Sequence, residues 1–309
     1  MTSAAHRVKA FSTDLFVLPL PPGHRFPMEK YRLLRQRLEG NERIALCEPP
    51  AATDGELALA HAPAYVEQIV SGSLSEQAIA AIGFPWSEAM VERSRRSTGA
   101  TIAAARAALE GPVGLAFNLA GGTHHAANDR GGGFCCFNDA AVAARLMQAQ
   151  GLAPRVLIVD LDVHQGDGTA RIFEHDPTVF TLSVHGAANY PFEKALSNLD
   201  CPLPDGTVDA CYLETLSDAL AVADGWHLPD LLIYLAGADP LAQDRLGRLD
   251  LTADGLARRD RMVFDWARSR RVPVAVAMAG GYARPIDLTV DVHLRTIEVG
   301  LEVFFQSEA

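Results

Sequence analysis

Residues 155–169, RVLIVDLDVHQGDGT, constrain the fold more than any other stretch of the chain. A short, β-branched apolar run of this kind forms a strand buried on both faces, which requires a packed layer above and below it. The run turns abruptly polar, placing Asp160, Asp162, His164 and Asp167 at its end, with Gly166 and Gly168 loosening the backbone. Alternation along an extended chain sends Asp160, Asp162 and His164 to one side. A carboxylate oxygen and an imidazole nitrogen two residues apart on that side can reach one zinc ion. Taken alone, an Asp-x-His pair is equally compatible with an ordinary strand exit capped by carboxylates. Ligands of open α/β sheets gather at the carboxyl ends of strands, so the other strand exits decide the matter.

In chain order, the pattern predicts a first strand over 11–20, closed by Pro21 and Pro22, then helices over 28–38 and 61–69. Ser87 caps a long helix over 88–110 that stops at Gly111. A strand over 113–119 leads into AGGTHHAANDRGGGFCCFN at 120–138, with five glycines in thirteen residues and no regular period. A glycine-rich loop of that length inside a compact domain is functional or disordered. Asn138 or Asp139 then caps a helix to Gln150. Further strands are expected over 156–161, 178–184, 231–236 and 274–279. Helices are expected over 210–222, from the cap Thr252 to 268, and over the last twenty residues, with 189–209 mostly loop.

This alternation predicts an α/β fold: one three-layer domain with a mostly parallel sheet and helices on both faces, joined by right-handed crossovers. No linker, repeat or low-complexity tract divides 1–309. Four polar constellations, at 121–134, 160–168, 237–240 and 280–282, then fall just past strand ends and collect on one rim.

The net charge of −11, from 27 basic and 38 acidic residues, argues against nucleic acid as a partner. It is compatible with cationic peptides or polyamines. No apolar run approaches the roughly 18 residues of a membrane helix, and MTSAAHRVKAFSTD lacks the apolar region of a signal peptide. Five cysteines without CxxC spacing suit a reducing compartment, so a cytoplasmic location is expected.

Asp162, His164 and Asp239 form a three-ligand set with nitrogen and oxygen donors, which leaves a fourth position for water as in catalytic zinc sites. Alone, Asp239 before Pro240 is a common turn residue; the set reverses that balance. A bound ion lowers the pKa of its water to about 7. Of His124 and His125, one can take the proton and the other can hold charge or protonate the leaving group. Each needs a partner to fix its tautomer, and Asp160 and Asp167 stand at the right rim. Tyr282, after Gly280 and Gly281, is a phenol able to donate to a developing oxyanion. Phe134 and Tyr190 are candidates for the walls of a channel, although aromatic residues more often simply pack.

DLDVHQGDG (160–168), GGTHHA (121–126), GGGFCCFNDA (131–140), GADPLAQDRLG (237–247) and AGGY (279–282) resemble the zinc-dependent histone deacetylase family. DRGGGFC (129–135), LPDGTVDACYLETL (203–216) and DRLGRLDLTADGLARRDRMVF (244–264) are most similar to its class IV branch and bacterial relatives. The resemblance implies the arginase/deacetylase fold with about eight strands, and a hydrolase of acyl-lysine or a related amide. It implies that Asp162, His164 and Asp239 hold one Zn2+ and that His125 is the general base. His124 becomes the electrostatic partner or acid, Tyr282 the oxyanion donor, and Asp160 and Asp167 orient His124 and His125. Gly133, Phe134 and Tyr190 are expected to line the acyl-lysine channel, with Gly281 also facing substrate. A structural K+ is expected beside backbone oxygens of Asp160, Asp162 and His164 and beside Ser183.

Implied partners are an acylated lysine in a protein or peptide, with acetyl or a longer fatty acyl group, or an acylated polyamine. Gln165 and the AANYPF loop after His185-Gly186 depart from the family's pattern and bear on acyl preference. A dinuclear manganese ureohydrolase would need further carboxylates at 166 and 237, where Gly166 and Gly237 stand. A degenerate binding module would have lost a ligand or Tyr282, and none is lost.

Overall fold

Eight strands pair in parallel throughout one sheet in the computed structural model, which describes residues 6–306. The elements in order are β1 (Val8–Phe11), α1 (Glu29–Leu38), β2 (Ile44–Cys47), α2 (Asp54–Leu57), α3 (Pro63–Ser71), α4 (Glu76–Ile82), α5 (Glu88–Glu110) and β3 (Leu115–Asn118). They continue with α6 (Asp139–Ala149), β4 (Val156–Asp160), α7 (Asp167–Phe173), β5 (Val179–Gly186), β6 (Leu199–Leu203) and α8 (Asp209–Asp224). The chain closes with β7 (Leu231–Leu235), α9 (Ala253–Arg270), β8 (Val274–Ala277) and α10 (Ile286–Phe304).

The period-2 alternation of each strand splits the interior into two cores. Leu157 and Val159 of β4, with Leu232 and Tyr234 of β7, face α1, α8, α9 and α10. Val156 and Ile158, with Leu231 and Ile233, face the layer that contains α3, α5 and α6. Burial on both faces explains why these strands read as continuous apolar runs rather than as alternating ones. The result is one three-layer α/β domain, as the alternation predicted. Among the described residues, no helix is long and apolar enough to cross a membrane.

The strand order β2-β1-β3-β8-β7-β4-β5-β6 makes β3, β8, β7 and β4 consecutive neighbours. The four polar constellations follow these four strands. Because all pairings are parallel, their carboxyl ends share one rim, and side chains distant in sequence converge there. This adjacency was not readable from the order of the segments.

Several expected elements shift. The strand expected over 11–20 lies earlier, at β1, and beyond Phe11 the chain turns, leaving Leu15 69% and Val17 62% exposed. The Ser-Thr-Asp turn former at 12–14, with Ser12 Oγ donating to Asp14, overrides the apolar run that follows it. The segment 189–209 contains edge strand β6, hidden in the sequence by Pro202, which an edge tolerates. Edge strand β2 has no counterpart in the expected elements; only its first residue is buried, unlike the equally short but fully buried β3 and β8. The helix expected from 61 starts at Pro63, whose ring suits the first helical position. Ser87 caps α5 by accepting from Met90 N, and Asn138 caps α6 by accepting from Ala141 N.

Asn138 also ties the glycine-rich loop down. Its Nδ2 donates to Ala126 O at 3.1 Å and Thr169 Oγ1 at 2.9 Å, with a longer contact to His124 O. Losing a cap and leaving buried carbonyls unpaired each costs on the order of 1–2 kcal/mol. Asn138→Ala is therefore expected to lower the unfolding free energy by about 2–4 kcal/mol in urea titrations at pH 7.

Candidate metal and active site

Asp162 and His164 follow β4 and Asp239 follows β7, and one ligand atom from each lies within 4.8 Å of the other two. Both carboxylates are buried, and the His164 side chain is 12% exposed. His164 Nδ1 meets Asp162 Oδ1 at 2.9 Å. Asp162 Oδ2 accepts from Gly280 N at 2.8 Å, and Asp239 Oδ1 accepts from Val163 N at 2.9 Å. Asp239 Oδ2 is buried and has no hydrogen-bond partner. A Cβ at Gly280 would sit 1.9 Å from that oxygen, so only glycine leaves its approach clear.

Burial and the neighbouring Asp162 charge push Asp239 up to about 7. Burial also opposes ionisation of Asp162, but His124 and His164 outweigh it and hold this carboxyl well below the usual range. An orphaned carboxylate oxygen, a second carboxylate and an imidazole fit a divalent cation, which removes the repulsion between the two acids. Asp162, His164 and Asp239 are the residues that would hold it.

The histidine pair is organised by the same exits. His124 Nδ1 lies 2.7 Å from Asp160 Oδ2, and His125 Nδ1 lies 2.7 Å from Asp167 Oδ1. Each Nδ1 is placed to donate to the carboxylate oxygen it faces. The two rings lie 4.2 Å apart, yet their environments differ. Burial disfavours charge on His124, but Asp160 and Asp162 outweigh it and raise the pKa to about 9. Burial and the adjacent His124 charge lower His125 to about 4. The shifts run in opposite directions, so His124 favours the charged form and His125 the neutral one.

Tyr282 is held through its backbone. Its N donates to Asp244 Oδ2, its carbonyl accepts from Arg245 Nε at 3.0 Å, and Ala283 N donates to Thr289 Oγ1 at 3.1 Å. Burial, reinforced by Asp239 and Asp162, pushes the phenol well above its ordinary pKa, so it remains a donor. Gly281 does not line the cavity beside Tyr282. Its missing Cβ faces Thr289, Ala238 and His293, while Gly280 faces the cavity instead.

That cavity, of about 650 Å3, contains His124, His125, Asp162, His164, Gly133, Phe134, Tyr190 and Tyr282 in its walls. Phe134 adopts φ 69 and packs against Phe26 and Phe84, with centroids 5.3 Å away in both cases. Tyr190 stands edge-on to His125 at 4.8 Å. The walls run from Phe192, 87% exposed, to Ile82 and Met90, at most 2% exposed. Ser183 pairs with Asp160 across β4 and β5, and its hydroxyl meets His185 Nδ1 at 2.9 Å. Gln165 is an anchor, bonded to both Ala195 N and O and to Asp200, and it fastens the 189–198 segment.

Sequence reasoning missed the supports behind this site. Arg259, fully buried, donates to Gly237 O at 2.6 Å and Leu161 O at 3.3 Å, and so joins the backbones that precede Asp239 and Asp162. Its signal was present: Arg259 and Asp260 interrupt the apolar stripe of Leu256, Val263 and Ala267. Buried Lys30 donates to Ala279 O at 3.0 Å behind the tyrosine loop, and Asp139 accepts from Gly122 N, Thr123 N and Thr123 Oγ1. No local pattern marks Lys30, because its partner lies 249 residues away.

Side chains able to hold an ion gather at the carboxyl rim of a parallel sheet, with a cavity beside a histidine pair, and together they form a candidate metal and active site. The histone deacetylase domain family matches residues 24–296. A protein of Picosynechococcus sp., described only as uncharacterised, is 47% identical over 88% of this chain and 91% of its own. Histone deacetylase 2 of Arabidopsis thaliana is 33% identical over 88% of this chain and 73% of the plant protein. A histone deacetylase homologue solved in complex with SAHA matches 95% of this chain and 84% of its own, with TM-score 0.82 and 28% identity. The chain belongs to the histone deacetylase family and is a deacetylase-type hydrolase.

His61 connects this site to stability. Its Nδ1 lies 2.9 Å from Ala127 O, and its Nε2 accepts from Asn138 N at 2.9 Å, bracing both ends of the glycine-rich segment. Burial lowers its pKa to about 4, whereas an unfolded histidine takes up a proton near 6.5. Between those values the unfolded chain binds more protons, so stability present above pH 6.5 is lost as pH falls toward 4. Urea titrations across that window should show the loss, and His61→Gln should make the slope shallower by about one proton.

Proposed function

We propose that the protein is a zinc-dependent lysine deacylase acting on the side-chain amide of acyl-lysine, with 1–309 forming one catalytic unit. The observation that carries this reading is the histidine pair: two rings 4.2 Å apart, one raised to about 9 and one lowered to about 4, beside an orphaned Asp239 oxygen. A zinc ion, when bound, supplies Lewis acidity and brings the pKa of water to about 7.

The chain's own groups divide the remaining work. His125, oriented by Asp167, offers Nε2 as acceptor and takes the proton of the attacking water as the new C–O bond forms. Tyr282 donates its phenolic proton in a hydrogen bond to the carbonyl oxygen as charge develops there. His124, held cationic on Asp160, stabilises that charge. The C–N bond then breaks as the leaving amine receives a proton from the histidine pair, and an acid and an amine are released. Gly133, Phe134 and Tyr190 flank the extended acyl-lysine chain. A structural K+ is proposed beside the Asp160, Asp162 and His164 backbone and Ser183, and a reducing cytoplasm suits the five free cysteines.

A second reading of chain length has its own support. The cavity continues to Ile82, Phe84 and Met90, far more apolar space than an acetyl group fills, which favours acyl groups longer than acetyl.

Asp239→Ala is expected to abolish retention of zinc after dialysis, measured by metal analysis. His125→Ala and Tyr282→Phe should keep zinc and the folded state but lower kcat by roughly 10²–10⁴-fold on a fluorogenic acyl-lysine panel. Turnover near the parental rate in either variant overturns the assigned roles.

A further inference from the structure

The cavity mouth carries a charge opposite to that of the molecule. The chain has a net charge of −11, yet the charged cavity walls comprise Arg25, Lys30, Arg93, Arg245 and Arg248 against a single acid, Asp162, which is a candidate metal ligand. Lys30 and Arg93 are buried and turned to backbone carbonyls. Arg25, Arg245 and Arg248 are exposed. Arg248 is partnered by Asp205 at 3.0 Å.

Arg25 and Arg245 make no ion pair among the described residues, although acids outnumber bases in the chain. Arg245 is fixed in place, its Nε donating to Tyr282 O at 3.0 Å and its Nη2 to Arg25 O at 3.4 Å. Nη1 of Arg245 and the whole Arg25 guanidinium are left without a partner among the described residues. A guanidinium held by its backbone contacts with donors to spare is preorganised for a carboxylate.

We propose that the acyl-lysine this site takes lies in an acidic peptide segment, whose carboxylates engage Arg25 and Arg245 at the cavity mouth. The inference rests on the deacylase reading and names its substrate class. Polycations, including acylated polyamines and lysine-rich tails, meet like charge at this mouth, even though the overall balance of the chain attracts them. The two arginines stand on the chain segments that precede α1 and follow β7 and are neighbours there, Arg245 Nη2 donating to Arg25 O at 3.4 Å. Contacts of this exposed kind act on encounter and on substrate affinity more than on the chemical step, and salt screens them over about 10 Å at 0.1 M.

The test uses the zinc-loaded 309-residue chain and three peptides that share a central acyl-lysine, flanked by glutamate, by serine or by arginine, with acetylspermidine as a fourth substrate. At 20 mM salt, kcat/KM is expected to be about 10-fold higher for the glutamate peptide than for the arginine peptide. The difference should lie in KM and shrink about threefold or more at 0.5 M salt. Arg25→Glu should reduce or reverse that ratio, and Arg25→Lys should largely restore it. Equal or better use of the arginine peptide or of acetylspermidine overturns the proposal, as does a ratio unmoved by Arg25→Glu. Hydrolysis of the serine peptide without charge preference sinks this proposal alone; failure to hydrolyse any of the four sinks the deacylase reading with it.

Discussion

The mutual repulsion of two buried carboxylates, Asp162 and Asp239, is the constraint on which the rest of the rim depends. Buried acids without compensation neutralise or disperse. Here they are held together by groups that cannot move away: Gly280 N and His164 Nδ1 on Asp162, and Val163 N on Asp239. The backbone carrying them is clamped in turn by Arg259, which bonds the carbonyls of both strand exits. The scaffold resists the relaxation that would relieve this repulsion, and a bound cation, as we propose, would relieve it.

The same carboxylates polarise their neighbours. Asp162 helps keep His124 charged, and charged His124 helps keep His125 neutral only 4.2 Å away. A base and a cation therefore coexist without any residue having an unusual intrinsic chemistry. Burial makes each of these couplings stronger than it would be in water. The tyrosine loop is added to this arrangement by backbone contacts from Asp244, Arg245, Lys30 and Thr289, so its phenol needs no side-chain partner to be placed.

Much of this was legible in the chain. Doubly buried strands read as apolar runs, Ser87, Asn138 and Thr252 read as helix caps, and polar clusters read as strand exits. The elements that failed to read did so for identifiable reasons. A Ser-Thr-Asp turn outweighed the apolar run behind it, and β6 carried a proline that only an edge position tolerates. Gly281 looked like a wall of the site because it precedes Tyr282, but its open side faces α10. Arg259 showed itself only as a charge on an apolar stripe, which does not reveal what it holds.

The sequence by itself determined the long helices and the buried central strands, the rim on which polar residues collect, and the donor types Asp162, His164, Asp239, His124 and His125. These depend on local periodicity and on residue chemistry, both of which are written in neighbouring letters. Only the tertiary structure decided that β3, β8, β7 and β4 stand side by side, that Asp239 Oδ2 has no hydrogen-bond partner, and that Arg25, Arg245 and Arg248 line one cavity of an acidic chain. Those facts arise from strand order and from contacts between residues up to hundreds of positions apart, and no local pattern encodes them.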